Sequence, residues 1–426
     1  MPEPVTADLL GAGLRGAFAY GPYAGLQPDQ LKFVAVAEPD DARRALFAGA
    51  HNIPPERQFQ TWEDLLTRPQ MAQTLFNMTQ DQMHYDSTLA ALDAGYDVLL
   101  EKPITHDLAQ TVRLVAVAEQ SGRFLQICHV LRYTPFFQTL HEILQSGRLG
   151  QIVNVSHREN VVYWHMAHSY VRGNWRSIAE SAPMILAKCC HDFDILHWNL
   201  PSAVRRLQSF GALTHFRLEN APPGATSRCT DGCPAGDICP FDARRIYLDP
   251  HKMGWPVLAV TTDLSMEARR LALEEGPYGR CVYAADNDVV DHQTVNMELE
   301  DGTTVTLTMH GHAHEEGRTM RYAGTRATLR GKFGEQSRIE IHDHLTGQTE
   351  EVDITSASSG HGGGDFGIVE GFVRAVRGEA PPLTTAREAL ESHLLAFAAE
   401  QSRLEGSVVD MAEFRTRAAG YASSDV

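Results

Sequence analysis

Short apolar runs, each the length of a strand, alternate with stretches of helical periodicity through the first quarter of the chain. VTADLL (5–10), FVAVAEPD (33–40), TLFNMT (74–79) and DVLL (97–100) are rich in small and β-branched residues and read as strands. Between the last two, HYDSTLAALDAG (84–95) carries its apolar positions at helical spacing. That rhythm predicts a doubly wound parallel sheet with right-handed crossovers. Ligands of such sheets gather at the carboxyl ends of the strands. The pattern changes further on. In TVNMELEDGTTVTLTMHGHAH (294–314), Val305, Leu307 and Met309 share one face of a strand, while Thr306, Thr308, His310, His312 and His314 share the other. REALESHLLAFAAEQSRLEG (387–406) reads as an amphipathic closing helix. The expected division is a nucleotide-binding sheet over 1–130 and a mixed α+β domain over 131–426. A Pro, Gly and Cys-rich insertion interrupts the second at about 215–285.

A length of 426 residues suits two domains, and a hydrophobic fraction of 43% is ordinary for a chain that buries a core. The net charge of −17 (37 basic against 54 acidic residues) argues against a nucleic-acid surface, which needs a basic face. No apolar run approaches the roughly 20 residues that span a bilayer, and the opening MPEPVTADLLGAG lacks a signal-peptide pattern. Seven cysteines, an odd number in a long chain, point to a reducing compartment. A cytoplasmic protein without membrane or nucleic-acid partners is expected.

Candidate chemistry begins at the first strand. Gly11-Ala12-Gly13-Leu14-Arg15-Gly16 follows it directly and opens a helix. In a dinucleotide fold such glycines make the tight turn, admit the pyrophosphate and let helix and strand pack closely, while the helix N-terminus offers free N–H groups. Glu38 ends the second strand about 20 residues beyond the last glycine, where a carboxylate accepts from ribose hydroxyls and favours NAD over its 2′-phosphate analogue. Arg43 and Arg44 follow closely, so NADP stays open. At the end of DVLL, Glu101 and Lys102 stand at the ligand-binding edge, and Pro103 suits a chain leaving a strand. Taken alone, Lys102 reads better as a solvated lysine closing a strand.

GAGLRG, Thr79 followed by His84, ALDAGYDVLLEKPIT, HVLRYTPFFQTLHEILQSGRLGQIVNVS (129–156), KCCHDFDILHW (188–198) and YAGTRATLRG (322–331) together resemble the Gfo/Idh/MocA oxidoreductases. The resemblance covers most of the chain outside the insertion. It implies an N-terminal Rossmann domain, a C-terminal domain with a large open, mainly antiparallel sheet, and a homo-oligomer, dimer or tetramer, paired through that sheet. It also implies that Lys102 and His191 are catalytic. The cofactor, NAD, is expected to touch Gly11, Gly13, Leu14, Arg15, Gly16, Glu38, Thr79, Gln80, His84, Glu101 and Lys102. Family members often carry an aspartate four residues before the histidine, but Ala187 stands there in this chain. The proton acceptor is therefore open between Lys102 and His191, with Lys188 and Asp194 as neighbouring polar groups.

The segment NVVYWHMAHSYVRGNWR (160–176) is rich in aromatic and basic residues, which suit the apolar faces and hydroxyls of a carbohydrate or polyol. Arg132, Tyr133, His165, His168, Arg172, Trp175, Arg176, Lys188, Asp194 and His361 are the expected substrate contacts. His361 lies in the glycine-rich turn GHGGGDF (360–366). The reaction expected is hydride transfer between a nicotinamide and a secondary hydroxyl of a sugar, glycoside or polyol. The resemblance also includes NAD-dependent glycosidases, which oxidise transiently and then eliminate, and a non-catalytic dinucleotide-binding regulator is a third reading. Finally, Cys229, Cys233 and Cys239 are close enough in sequence to share a structural zinc with a fourth ligand from His215, His251 or Cys281.

Overall fold

In the computed structural model, which describes residues 3–354 and 360–423, the backbone builds two sheets. The first comprises β1 (Val5–Leu10), β2 (Leu31–Ala37), β3 (Gln58–Phe59), β4 (Thr74–Asn77), β5 (Asp97–Leu100) and β6 (Leu125–Ile127). They lie side by side in the order β3-β2-β1-β4-β5-β6, every pair parallel. Helices cover both faces, so the strands are mostly apolar rather than alternating, with a few buried polar residues such as Asp8 and Asn77. Leu9, Phe76, Leu99 and Leu100 have no exposed surface. The strand order reverses between β1 and β4, and a crevice opens beyond their carboxyl ends. The helix expected over 84–95 runs His84–Asp93. β2 begins earlier than the apolar run indicated and stops at Ala37, because Glu38 and Pro39 carry the chain out of the sheet.

The second sheet comprises β7 (Ile152–Val162), β8 (Val204–Ala212), β9 (His292–Leu299), β10 (Thr304–Ala313), β11 (Gly317–Gly324), β12 (Ala327–Gly334), β13 (Arg338–Asp343), β14 (Thr349–Val352) and β15 (Val409–Asp410). Their order is β14-β13-β12-β11-β7-β10-β9-β8-β15. All neighbours are antiparallel except β7 and β10. The period-two reading of β10 holds: Val305, Leu307 and Met309 are buried while Thr306, Thr308 and His310 are partly open.

Between β8 and β9 the chain makes an excursion over residues 213–291. It has a small core of its own in Cys229, Ala243, Ile246, Tyr247 and Leu273, with Trp164 and Tyr278 against it. Two later segments return to the first sheet. The helix Gly364–Val376 sets Phe372 against Phe76 and Phe124, with ring centroids 5.5 and 5.6 Å apart. The Ile127 N–H donates to the Thr384 carbonyl at 2.8 Å, just before the helix Ala386–Glu405. That helix packs on both Leu108–Ser121 and Cys190–Asn199, joining the two halves. Among the described residues no helix is long and apolar enough to cross a membrane.

Candidate active site

The glycine turn after β1 is dictated by space. Gly11 has φ +85°, and a Cβ there would stand 2.5 Å from the Met78 carbonyl oxygen at the end of β4. A Cβ on Gly16 would stand 2.2 Å from the Gly11 carbonyl oxygen. Gly13 differs, because nothing lies within 4 Å of the position its Cβ would take. The turn is thus tight where it packs and bare where a ligand would approach, which fits a pyrophosphate. Gly16→Ala is expected to cost about 2 kcal/mol of stability and to weaken dinucleotide binding, read by urea unfolding with and without NAD. A variant as stable as the parent would show that the turn has slack the 2.2 Å approach does not allow.

Glu38 reaches the same turn. Its Oε2 accepts from Ala12 N–H at 2.8 Å and its Oε1 from Asp40 N–H at 3.0 Å. Arg44 donates to the Glu38 carbonyl and pairs with Asp41, so its charge is already engaged. Thr79 is pinned through N–H and Oγ1 to Asn77 Oδ1, and both Thr79 and Gln80 are half-buried at the crevice. His84 is placed differently from the expectation of a cofactor contact. It has no exposed surface and links the Pro103 carbonyl (2.8 Å) to the Thr79 carbonyl (3.2 Å), bracing the ends of β4 and β5 from behind.

Arg15 crosses the mouth of the turn. Its Nε donates to Glu101 Oε1 at 2.6 Å and its second nitrogen to Asp365 Oδ1 at 2.7 Å. His361 Nδ1 also meets the Asp365 carboxylate at 3.0 Å. Burial pushes the Glu101 carboxyl up, but the charges of Arg15 and Lys102 outweigh it and hold its pKa below the usual value. Arg15, Glu101 and Asp365 therefore form a clasp between the glycine turn, the end of β5 and the helix Gly364–Val376.

Lys102, half-buried and followed by a cis peptide to Pro103, points across to the second domain. Its Nζ donates to the Ala187 carbonyl at 2.7 Å, one turn before His191. His191 is 7% exposed at the start of the helix Cys190–Asn199. Burial, then above all the charge of Lys102, pushes its pKa well below the ordinary histidine value. Its Nδ1 lies 3.5 Å from His129 Nδ1, and its Nε2 has no hydrogen-bond partner among the described residues. Lys102 is thus fixed on a carbonyl four residues before His191 in the chain, and its charge acts on that ring.

Residues 7–129 match the model of the oxidoreductase family's NAD-binding Rossmann fold, and residues 141–411 match that of its C-terminal alpha/beta domain. The chain belongs to the Gfo/Idh/MocA oxidoreductase family. Among its relatives, inositol 2-dehydrogenase of Corynebacterium glutamicum is 27% identical over 173 residues, 40% of this chain and 47% of that protein. The chain thus spans about half the length of that relative. An oxidoreductase from Agrobacterium radiobacter, solved with NAD+, L-tartaric acid and magnesium, superposes with a TM-score of 0.69 at 14% identity, over 96% of this chain and 99% of that one. The WlbA dehydrogenase from Bordetella pertussis, solved with NADH and UDP-GlcNAcA, gives 0.68 at 15% identity over the same shares, 96% and 99%. At such identity the likeness shows a shared fold.

In this Gfo/Idh/MocA oxidoreductase the expected substrate contacts divide sharply. His165 and Lys188 lie together near Lys102. His165 Nδ1 meets Glu316 Oε1 at 3.0 Å, and Lys188 Nζ donates to the same oxygen at 3.1 Å and stands 3.3 Å from Glu159. Lys188 is raised above the ordinary lysine value because Glu159 and Glu316 more than offset its burial.

Several other residues are engaged elsewhere. Arg132 and Asp194 hold each other in a buried bidentate pair, Nε to Oδ2 at 2.8 Å and the terminal nitrogen to Oδ1 at 2.7 Å. Tyr133 packs on Gly367 and Gly371 and accepts from Gln126. Arg172 is 1% exposed and donates to the Arg280 and Phe241 carbonyls, so it ties the insertion down instead of meeting substrate. His168 stacks on Tyr278 and meets the Tyr247 hydroxyl at 2.8 Å, also inside the insertion's packing. Trp175 donates to Asp81 at 3.1 Å, and Arg176 pairs with Glu180 and Asp286.

The structural zinc is not supported. Cys229, Cys233 and Cys239 are free thiols that line one small cavity with Cys281 and Arg172. Among the described residues no group of three or more His, Cys, Asp or Glu side chains is arranged to hold an ion.

Three residues near the site were not anticipated. Glu316 gathers His165 and Lys188; Trp255, 43% exposed, lies 4.8 Å from the His165 ring; and His129 backs His191. Glu316 and Trp255 lie in loops whose composition resembles any solvated turn. His129 sits in HVLRY, a segment whose other apolar residues explain its burial.

Proposed function

We propose that the protein transfers a hydride between NAD and a secondary hydroxyl of a sugar, glycoside or polyol. The observation that carries this reading is Lys102 anchored on the Ala187 carbonyl, its charge acting on His191, whose Nε2 has no partner among the described residues. Oxidising an alcohol requires a hydride to leave carbon and a proton to leave oxygen. The nicotinamide supplies the hydride acceptor when bound. The proton passes to Nε2 of His191, whose low pKa keeps it neutral and able to accept at neutral pH. Lys102, anchored on the Ala187 carbonyl, places a positive charge and a donor beside the same hydroxyl and steadies the oxygen as it loses its proton.

NAD is favoured by the Glu38 carboxylate beside the glycine turn and by the prior engagement of Arg44. A polyhydroxylated substrate is supported by the cluster of His165, Lys188, Glu316 and Trp255, which joins charged hydrogen-bonding groups to an aromatic face. The relatives solved with L-tartaric acid and UDP-GlcNAcA, and the one named for inositol, hold or act on hydroxylated compounds.

Mixing the protein with NAD and a panel of polyols, sugars, sugar acids and glycosides is expected to give sustained formation of reduced nicotinamide. Release of aglycone without net reduction would replace this reading with an internal redox cycle. Silence across the panel in both assays would defeat it.

A further inference from the structure

His191 is the first member of a buried chain of imidazoles that ends on a backbone amide. His129 and His393 have no exposed surface. Proton positions along the chain follow from the partners, starting at the far end. The Ile104 N–H can only donate, and it points at His393 Nε2 at 2.9 Å, so that nitrogen carries a lone pair. The His393 proton is then on Nδ1, 2.8 Å from the Ala389 carbonyl. The Ser392 hydroxyl donates to that same carbonyl at 2.7 Å, which leaves its oxygen free to accept. His129 Nε2 lies 3.4 Å from this oxygen and 3.9 Å from the Asp194 carboxylate, two acceptors that place the His129 proton on Nε2. His129 Nδ1 is left with a lone pair, and the facing Nδ1 of His191 at 3.5 Å must be the donor.

We propose that His129 is a positioning residue that holds His191 with its proton on Nδ1, leaving Nε2 bare to take the substrate's hydroxyl proton. The proposal rests on the reading of His191 as proton acceptor. It gives a reason why the site can work with Ala187 four residues before His191: the orienting contact comes from behind, through His129, Asp194 and Arg132. Burial keeps the chain neutral, with His129 pushed down to about 4 and His393 to about 3. The titratable and charged groups facing it are Lys102, Arg318 and His361 around His191, and Asp194, Arg132, Lys102 and Glu101 around His129.

The test is a long-range 1H–15N correlation spectrum of the full-length protein labelled at histidine, with His191 assigned by its loss in His191→Gln. The expected wild-type signature is a protonated Nδ1 and a bare Nε2. His129→Asn, which keeps an acceptor close to the Nδ1 position, is expected to preserve it. His129→Phe is expected to move the proton toward Nε2. In turnover, His129→Phe is expected to lower kcat about 100-fold with KM nearly unchanged, and His129→Asn to recover part of the loss. A protonated Nε2 in the wild type, or an unmoved proton in folded His129→Phe, overturns the proposal. Should the phenylalanine variant not fold, the wild-type and asparagine spectra decide. The spectra need no substrate, so failure of the dehydrogenase reading stays distinguishable from failure of this one.

Discussion

Lys102→Met is expected to lower turnover by on the order of 100- to 1,000-fold, the usual loss when one donor to a developing oxyanion is removed. NAD affinity should change little, because the glycine turn and Glu38 are built without this side chain. A second effect separates an electrostatic role from a merely spatial one. The Lys102 charge is among the causes that hold the His191 pKa down. Without it, the protonated form of His191 survives to higher pH, so the acid limb of the rate profile should shift upward. Steady-state rates across pH, with NAD binding by calorimetry, would check both. Unchanged turnover with an unmoved acid limb would remove Lys102 from the reaction.

Asp194→Ala is expected to destabilise the fold by about 3–5 kcal/mol, because it leaves the Arg132 guanidinium buried without its counter-charge. The two groups are 2% and 1% exposed, so water cannot take the carboxylate's place. The pH dependence follows from the same pair. Burial raises the Asp194 carboxyl, but Arg132 outweighs it, and the folded pKa is depressed below 3.8. The stabilisation is therefore present above the unfolded value and is lost as pH falls through the folded one. Urea unfolding of the variant and parent at neutral and acid pH would show the gap closing in acid. Replacing both partners by apolar residues should cost less than the single change, since no charge is stranded. A single variant within about 1 kcal/mol of the parent would mean that the pair is solvated in solution.

The first sheet was legible because its signals are local. A strand buried on both faces is apolar at most positions, and Gly11 and Gly16 of GAGLRG answer to carbonyls a few residues away or beside the adjacent strand. DVLLEKP likewise announced a strand that ends in polar groups. The site was only half legible because its partners are distant. Lys188 meets Glu316 across 128 positions, and Arg132 meets Asp194 across 62. Nothing in a run of arginines and histidines distinguishes Arg172, which fastens the insertion, from His165, which lies near Lys102. The three closely spaced cysteines invited a metal for the same reason. Their spacing along the chain was visible, but the arrangement of their sulfur atoms was not.

The clasp of Arg15 with Glu101 and Asp365 also bears on the order in which the molecule comes into being. Its acidic half includes a residue 350 positions downstream of the arginine. As the chain leaves the ribosome, the six-stranded sheet can assemble long before that residue exists. Throughout the interval Phe76 and Phe124 lack the ring of Phe372 that covers them in the finished molecule. A segment made late therefore seals the first site to form, and a nascent chain that has not reached residue 372 carries its nucleotide cleft unlatched beside an uncovered aromatic patch.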